Sequence, residues 1–400
     1  MKRKILFMVS SMNIGGVEKS LLSLLDNIPK DKYDITILML NKWGGFLEYI
    51  PAHIKVEEAQ WFKDIKLIIM GSPYDSIKRY LRKGKLRKIP AFVYAYYRAK
   101  ALDDRYYYYK HIIKEIPFNE EEYDVAISYA GPTEIIDTYI SHKVKAKKKV
   151  AWVHFDISKH RVNEKLYEEL YALYDKVFVV SQEAKVRLDE IIPGVSGKSE
   201  VILNVISYET IRKMALEKCN LDNDYEGTKI ITVGRLSKEK GQDMAIKTLL
   251  KLKSEGYKAR WYCIGEGNFR CECEDLIKKY KLEDDFILLG TKLNPYKYMN
   301  AADIYVQTSR HEGYCLTLAE VKCLYKPIIT TNFTGAREQI DNNITGYIVS
   351  EEIELCEKIK YLINYPTNKK RIVENLKRVS LLNSNNTMEK LIKFLNNIAK

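Results

Sequence analysis

Four hundred residues exceed what one hydrophobic core serves comfortably and suit two domains of about 150–200 residues each. A hydrophobic content of 46% and a charged content of 30% are those of a soluble globular protein, and no run approaches the roughly 20 apolar residues that cross a bilayer. The net charge of +13 suits an anionic partner: nucleic acid, a membrane surface or a nucleotide.

Met1-Lys-Arg-Lys-Ile-Leu-Phe-Met-Val has the start of a signal peptide but a short apolar stretch and no small-residue cleavage site. Gly15-Gly16 leads straight into a helical pattern over Val17–Leu25, so Ile5–Val9 reads as a first buried strand and the chain as one kept inside the cell. Glycine at this turn lets backbone approach a phosphate or sugar, and a helix start favours negative charge. Asp34–Leu40, Val125–Ser128, Val150–Val153, Val177–Val180 and Val201–Leu203 are further apolar or β-branched runs, with helical stretches such as Glu183–Ile191 between most of them. Apolar strands alternating with helices predict a parallel, doubly wound α/β sheet.

Between Lys78 and Lys110 eleven Lys or Arg face two Asp, so this window holds +9 of the +13 excess. It is rich in tyrosine, including Tyr106 to Tyr109, and Ile89, Phe92, Val93, Tyr96 and Tyr97 recur at helical spacing with Pro90 suited to a first turn. A solvated basic helix and an interfacial element resting on anionic lipid both fit this pattern. No RNA or DNA module signature accompanies it, so nucleic acid is not the expected partner. His154 ends the strand that contains Trp152, where a lone histidine is usually a satisfied core residue.

A polar stretch from Asn220 to Gly227 separates this half from a second run of strands, placing the domain boundary between about Asn204 and Gly227. Lys229–Gly234 is followed by Arg235-Leu-Ser-Lys-Glu-Lys240-Gly241. Trp261–Gly265 opens a G-x-G ending at Gly267, then come Phe286–Gly290, Ala302–Ser309 and Lys326–Thr331. After Ala302–Ser309, Arg310-His-Glu-Gly-Tyr-Cys-Leu-Thr-Leu-Ala-Glu320 puts Glu312 in a glycine-containing loop and Glu320 in the following helix, with seven residues between them. Strand, loop and helix start make an anion site, because unpaired N–H groups and the helix dipole face the loop. Carboxylates beside it can bind hydroxyls of whatever carries the phosphate.

This order of motifs, through about residues 229–349, resembles the retaining GT-B glycosyltransferases of the E-x7-E type (family 4-like, group 1). The resemblance implies two Rossmann-like domains facing a cleft. It implies a nucleotide-sugar donor, UDP-linked, and a lipid-linked or polysaccharide acceptor at the inner membrane face. Arg235 and Lys240 would neutralise the departing diphosphate. Gly265, Gly313, Tyr314, Cys315, Leu316 and Thr317 would line the donor, Glu320 would accept ribose hydroxyls, and Glu312 would lie near the transferred sugar. Gly15 and Gly16 resemble the donor-side glycine loop, and Trp152-Val-His154-Phe-Asp156 the region whose histidine contacts the sugar. Asp156 equally suits a helix cap. Glu312 need not be a nucleophile, because the family is thought to react on one face without a covalent intermediate.

The resemblance divides the chain into an acceptor-side domain over 1–205 with a basic, tyrosine-rich insert at about 60–118, a donor domain over 206–386, and a C-terminal helix over 387–400 packing back on the first domain, with Thr387 as its N-cap. Asp222-Asn-Asp224 matches the D-x-D of metal-dependent transferases but sits in a polar linker, so no metal and no cofactor are expected. Departures from the family are Tyr314-Cys315 after the glycine and the absence of a tryptophan near the start of the last helix. The rival reading is a non-catalytic GT-B partner protein, which would be expected to lose the charges at Arg235, Lys240, Glu312 and Glu320. A sugar-nucleotide epimerase leaves the basic window without a use.

Overall fold

The computed structural model describes residues 2–159, 162–222, 224–382 and 386–396. The chain divides at Val205/Ile206. The first unit runs to Val205 and takes back the C-terminal segment from Thr387; the second is Ile206–Asn386.

The first unit is built on seven parallel strands: β1 (Arg3–Val9), β2 (Tyr33–Met39), β3 (Lys55–Glu58), β4 (Glu122–Gly131), β5 (Lys145–Val153), β6 (Lys176–Val179) and β7 (Ser199–Val201). Their order is β3-β2-β1-β4-β5-β6-β7. Ile5 to Val9 are at most 1% exposed, as expected of a central strand covered on both faces. β7 ends at Val201, the first residue of the run Val201–Leu203 read from sequence. β3 had no clear sequence signal, because Lys-Val-Glu-Glu at a sheet edge has a single apolar residue to bury.

Helices Gln60–Met70, Pro73–Arg82, Ile89–Leu102 and Tyr106–Ile112 lie between β3 and β4. The second starts on a capping box: the Ser72 hydroxyl accepts from the Asp75 backbone N–H, and the Asp75 carboxylate accepts from that of Ser72. In Ile89–Leu102, Phe92, Ala95 and Ala99 turn inward at helical spacing. Phe92 packs on Tyr80 and Tyr108, with ring centroids 5.6 and 6.1 Å apart. Much of the tyrosine excess therefore builds a local core. Tyr74, Tyr94 and Tyr97 are the exceptions, 70%, 63% and 61% exposed.

The C-terminal helix is Asn386–Asn396, so Thr387 lies inside its first turn rather than capping it, and residues 397–400 are outside the described residues. Leu391 and Leu395 are buried, Phe394 meets Phe178, and Arg3 donates to the Leu395 carbonyl at 2.6 Å.

The second unit carries β8 (Thr228–Val233), β9 (Ala259–Ile264), β10 (Phe286–Gly290), β11 (Ile304–Gln307), β12 (Ile328–Thr331) and β13 (Tyr347–Val349), in the order β10-β9-β8-β11-β12-β13 and all parallel. Strand order reverses between β1 and β4 in one unit and between β8 and β11 in the other. Connections leave such a point in opposite directions and open a crevice at the carboxyl ends of the strands, where α/β folds bind ligands.

Candidate functional site

In the second unit the loop after β8 carries Arg235 and Lys240, and the loop after β11 carries Glu312. Both loops leave the reversal point. Gly241 ends the first of them with φ +69°, and a Cβ there would stand 2.1 Å from the Thr308 carbonyl oxygen. Only glycine lets this loop close against the end of β11. Gly265 serves the end of β9 in the same way: its φ is +148°, and a Cβ would meet the Gly234 carbonyl at 1.9 Å. The Gln242 amide donates to the Arg235 carbonyl at 2.8 Å and fixes the loop from the following helix. The Arg235 side chain stays exposed.

Lys240 and Glu312 form an ion pair at 2.5 Å, with side chains 21% and 10% exposed. Burial works against the Lys240 ammonium, but the Glu312 carboxylate outweighs it and the lysine pKa is raised, with Arg235 opposing. The Ser309 hydroxyl donates to the same Glu312 oxygen at 2.7 Å. Arg310 donates to the Lys238 carbonyl at 2.5 Å, tying the two loops together a second time, and grips both oxygens of Asp243, in the first turn of the helix Gln242–Ser254, at 2.9 and 2.7 Å.

The helix Leu316–Cys323 begins directly after the glutamate loop, with Leu316 and Thr317 in its first turn. Its N-cap, Cys315, has φ +61°, a strained value for a residue with a side chain, and is buried. Burial pushes the Cys315 thiol well above its usual range, so it stays protonated. Gly313 is buried beside it, and the Tyr314 carbonyl accepts from the Gln339 amide. Glu320, on the inner side of the helix and 2% exposed, accepts from the Tyr296 hydroxyl at 3.1 Å. The structure thus brings Arg235, Lys240, Gly265, Glu312, Gly313, Cys315, Thr317 and Glu320 to one end of the second sheet.

The remaining expected residues lie in the first unit. Gly15 is the N-cap of Gly16–Asn27, the helix after β1. Ser20 on that helix donates to Asn204 Oδ1 at 2.7 Å and stands 2.9 Å from the Tyr129 hydroxyl, which must then be the donor to Ser20. The His154 ring lies 4.5 Å from that of Tyr129 and parallel to Trp152 at 5.9 Å. Burial pushes the His154 pKa down to about 3, against the pull of a hydrogen bond to the Tyr129 backbone, so the imidazole is neutral at physiological pH. Its Nε2 is shielded from solvent without a hydrogen-bond partner among the described residues. Asp156 accepts from the backbone and hydroxyl of Ser158, which is the capping alternative. Ser181 caps the helix Gln182–Ile191. Asp222 is held by Arg260 at 2.8 Å and Tyr262 at 2.7 Å, and Asn223 lies outside the described residues.

Residues 218–379 match the family described as glycosyl transferases group 1. The second unit is a group 1 glycosyltransferase domain. The chain is 31% identical over 186 residues to the N-acetylgalactosamine-N,N'-diacetylbacillosaminyl-diphospho-undecaprenol 4-alpha-N-acetylgalactosaminyltransferase of Campylobacter jejuni, covering 46% of this chain and 49% of that protein. It spans about half the length of the first curated relatives it matches, 47% and 49%. Another C. jejuni protein, named as an undecaprenol-linked alpha-1,4-N-acetyl-D-galactosaminyltransferase, is 22% identical over 94% of this chain and 93% of its own. HepE from Anabaena, solved with UDP and glucose, has a TM-score of 0.73 at 16% identity and covers 99% of this chain and 100% of its own. TarM has a TM-score of 0.69 at 13% identity, covering 100% and 99%. These likenesses carry the fold, GT-B, with its two Rossmann-like parallel-sheet units.

Three polar groups of the group 1 domain escape a motif-based reading: Gln307, Ser309 and Tyr296, which hold or join the two glutamates. Gln307 and Ser309 left one signal, as polar residues in an otherwise apolar strand. Tyr296 left none, because only the tertiary fold brings it to Glu320. Ser20 and Tyr129 in the first unit were equally silent.

Proposed function

We propose that the chain is a retaining glycosyltransferase that moves a sugar from a nucleotide-diphosphate donor, of the UDP-sugar class, to a lipid-linked or polysaccharide acceptor without a metal. The observation that carries this is the gathering of Arg235, Lys240 and Glu312 at the strand-order reversal of a group 1 domain, beside the start of the helix Leu316–Cys323. Breaking the bond between sugar and diphosphate leaves new negative charge on the phosphate oxygen. An exposed guanidinium, a part-buried ammonium and helix N–H groups offset that charge without reorganising water. Glu312 takes a hydroxyl of the transferred sugar and Glu320 those of the ribose. His154, being neutral, offers a hydrogen bond to a sugar hydroxyl rather than a charge. Gly15 and Gly16 let the backbone approach the donor closely.

The names of the C. jejuni relatives support an undecaprenol-linked acceptor, and the UDP bound to HepE supports the nucleotide. We assign residues 78–110 to an anionic membrane surface on the cytoplasmic side. Leu81, Leu86, Tyr94 and Tyr97 are exposed among the eleven basic residues of that window. No helix among the described residues is long and apolar enough to cross a membrane.

A thermal-shift panel of UDP, GDP, ADP and CDP tests the donor, and release of the nucleotide from its sugar in the presence of a polyprenyl-diphosphate glycan tests transfer. A rise in melting temperature with UDP that Arg235→Ala and Glu320→Ala abolish is the expected result. No shift with any diphosphate at millimolar concentration returns the non-catalytic partner to first place.

A further inference from the structure

We propose that Tyr305, Gln307 and Ser309 act as a positioning ladder that aims the Glu312 carboxylate; the proposal rests on the donor-site reading above. Tyr305 and Gln307 alternate along β11 and so project from one face of the sheet, and Ser309 follows two residues beyond the strand's end, joined to Gln307 by a hydrogen bond. They are 0%, 1% and 1% exposed.

The direction of every bond in the ladder is determined. A carboxylate only accepts, so the Ser309 hydroxyl donates to Glu312 Oε1 at 2.7 Å. Ser309 Oγ is then left to accept, and the Gln307 amide NH2 donates to it at 2.7 Å. That orients the Gln307 carbonyl the other way, where it accepts from the Tyr305 hydroxyl at 2.5 Å and the Thr317 hydroxyl at 3.4 Å. Thr317 belongs to the first turn of the helix that carries Glu320, so the ladder joins both glutamate-bearing segments.

A fold needs no such arrangement here. Buried polar side chains are costly unless fully satisfied, and the strands on either side, Thr-Lys-Ile-Ile-Thr-Val and Ile-Ile-Thr-Thr, fill the same layer mainly with aliphatic and threonine side chains. Its visible effect is on Glu312. Oε1 receives Ser309 and Lys240, while Oε2 has no protein donor among the described residues. One oxygen is pinned and the other is turned to a ligand hydroxyl. Thr331 donates to the Ser309 carbonyl at 2.5 Å and holds the backbone at the top of the ladder.

The test compares Ser309→Ala, Gln307→Met, Tyr305→Phe and Ser309→Thr for nucleotide release from the donor sugar, for UDP affinity and for melting temperature. Losing one hydrogen bond to a charged group that must be aimed should lower kcat about tenfold or more in Ser309→Ala and Gln307→Met, with donor KM and UDP affinity held within about twofold. Ser309→Thr, which keeps the hydroxyl, should recover most of the rate. Unchanged kcat, or a rate loss matched by an equal loss of UDP affinity, overturns the ladder. Wild-type protein that releases nucleotide from no sugar donor overturns the donor reading instead. The ladder is then judged by Ser309→Ala and Glu312→Gln made singly and together: non-additive losses in melting temperature support it, and additive losses overturn it.

Discussion

Lys240 Nζ stands 2.5 Å from Glu312 Oε1, so two groups assigned to a diphosphate and a sugar hold each other. A diphosphate entering beside Lys240 competes with that carboxylate for the same ammonium. Glu312→Gln should therefore bind UDP tighter than the native chain, by about two- to tenfold, while turnover falls. It should also cost about 1–3 kcal/mol of stability, because the part-buried ammonium loses its partner. Titration calorimetry and urea unfolding read the two effects, and weaker UDP binding would contradict the competition.

The pKa of Lys240 also sets an alkaline limit. Its raised value gives stability that is complete below the unfolded lysine pKa near 10.5 and is lost as pH rises through the higher folded value. Lys240→Met should lack that alkaline loss in unfolding curves above about pH 10.

His154 and Asp137 act in opposite senses on acid stability. His154, pushed from 6.5 down to about 3, stabilises fully above the unfolded value and loses that contribution as pH falls. Burial pushes Asp137 from 3.8 up to about 7, against hydrogen bonds from Ser128 and Thr133, so its contribution is full at low pH and is lost as pH rises through that window. Between about pH 4 and 6 the two slopes, each about 1.4 kcal/mol per pH unit, nearly cancel. His154→Gln should make stability fall with rising pH, and Asp137→Asn should make it rise. Urea unfolding across this range decides the matter, and two variants with the native pH dependence would refute the opposition.

Arg235 is exposed, so Arg235→Ala should leave the melting temperature nearly unchanged and weaken UDP binding by about tenfold or more. Gly241→Ala should do the reverse in order of severity. Its φ of +69° and the Thr308 oxygen 2.1 Å from the added Cβ predict a loss of about 2–4 kcal/mol, read by urea unfolding.

For the basic window, sedimentation with vesicles containing phosphatidylglycerol should capture the chain at low salt and release it at high salt. Tyr94→Ser with Tyr97→Ser should weaken capture without lowering stability, because both rings are largely exposed. Equal capture by neutral vesicles would count against an electrostatic surface.

The parts legible in the sequence share one property: their signals are local. Ile5–Val9 and Trp261–Ile264 were readable as strands because consecutive apolar side chains must be covered on both faces. Edge strands such as Lys55–Glu58 bury too little to leave that mark. Thr387, expected as a helix cap, lies inside the helix Asn386–Asn396, because helix ends read from residue type alone are good to only one or two residues.

The sequence by itself determined the class of the fold, two runs of alternating strand and helix, and the segments bearing Arg235, Lys240, Glu312 and Glu320. Tertiary structure alone decided how those groups are paired and charged. Lys240 and Glu312 are 72 residues apart and meet because β8 and β11 are neighbours. His154 is neutral because burial in the first unit disfavours its charge, and Glu320 meets Tyr296 although 24 residues separate them. Burial and hydrogen bonding between distant segments set a side chain's protonation and direction, and neither quantity exists until the sheet has closed around it.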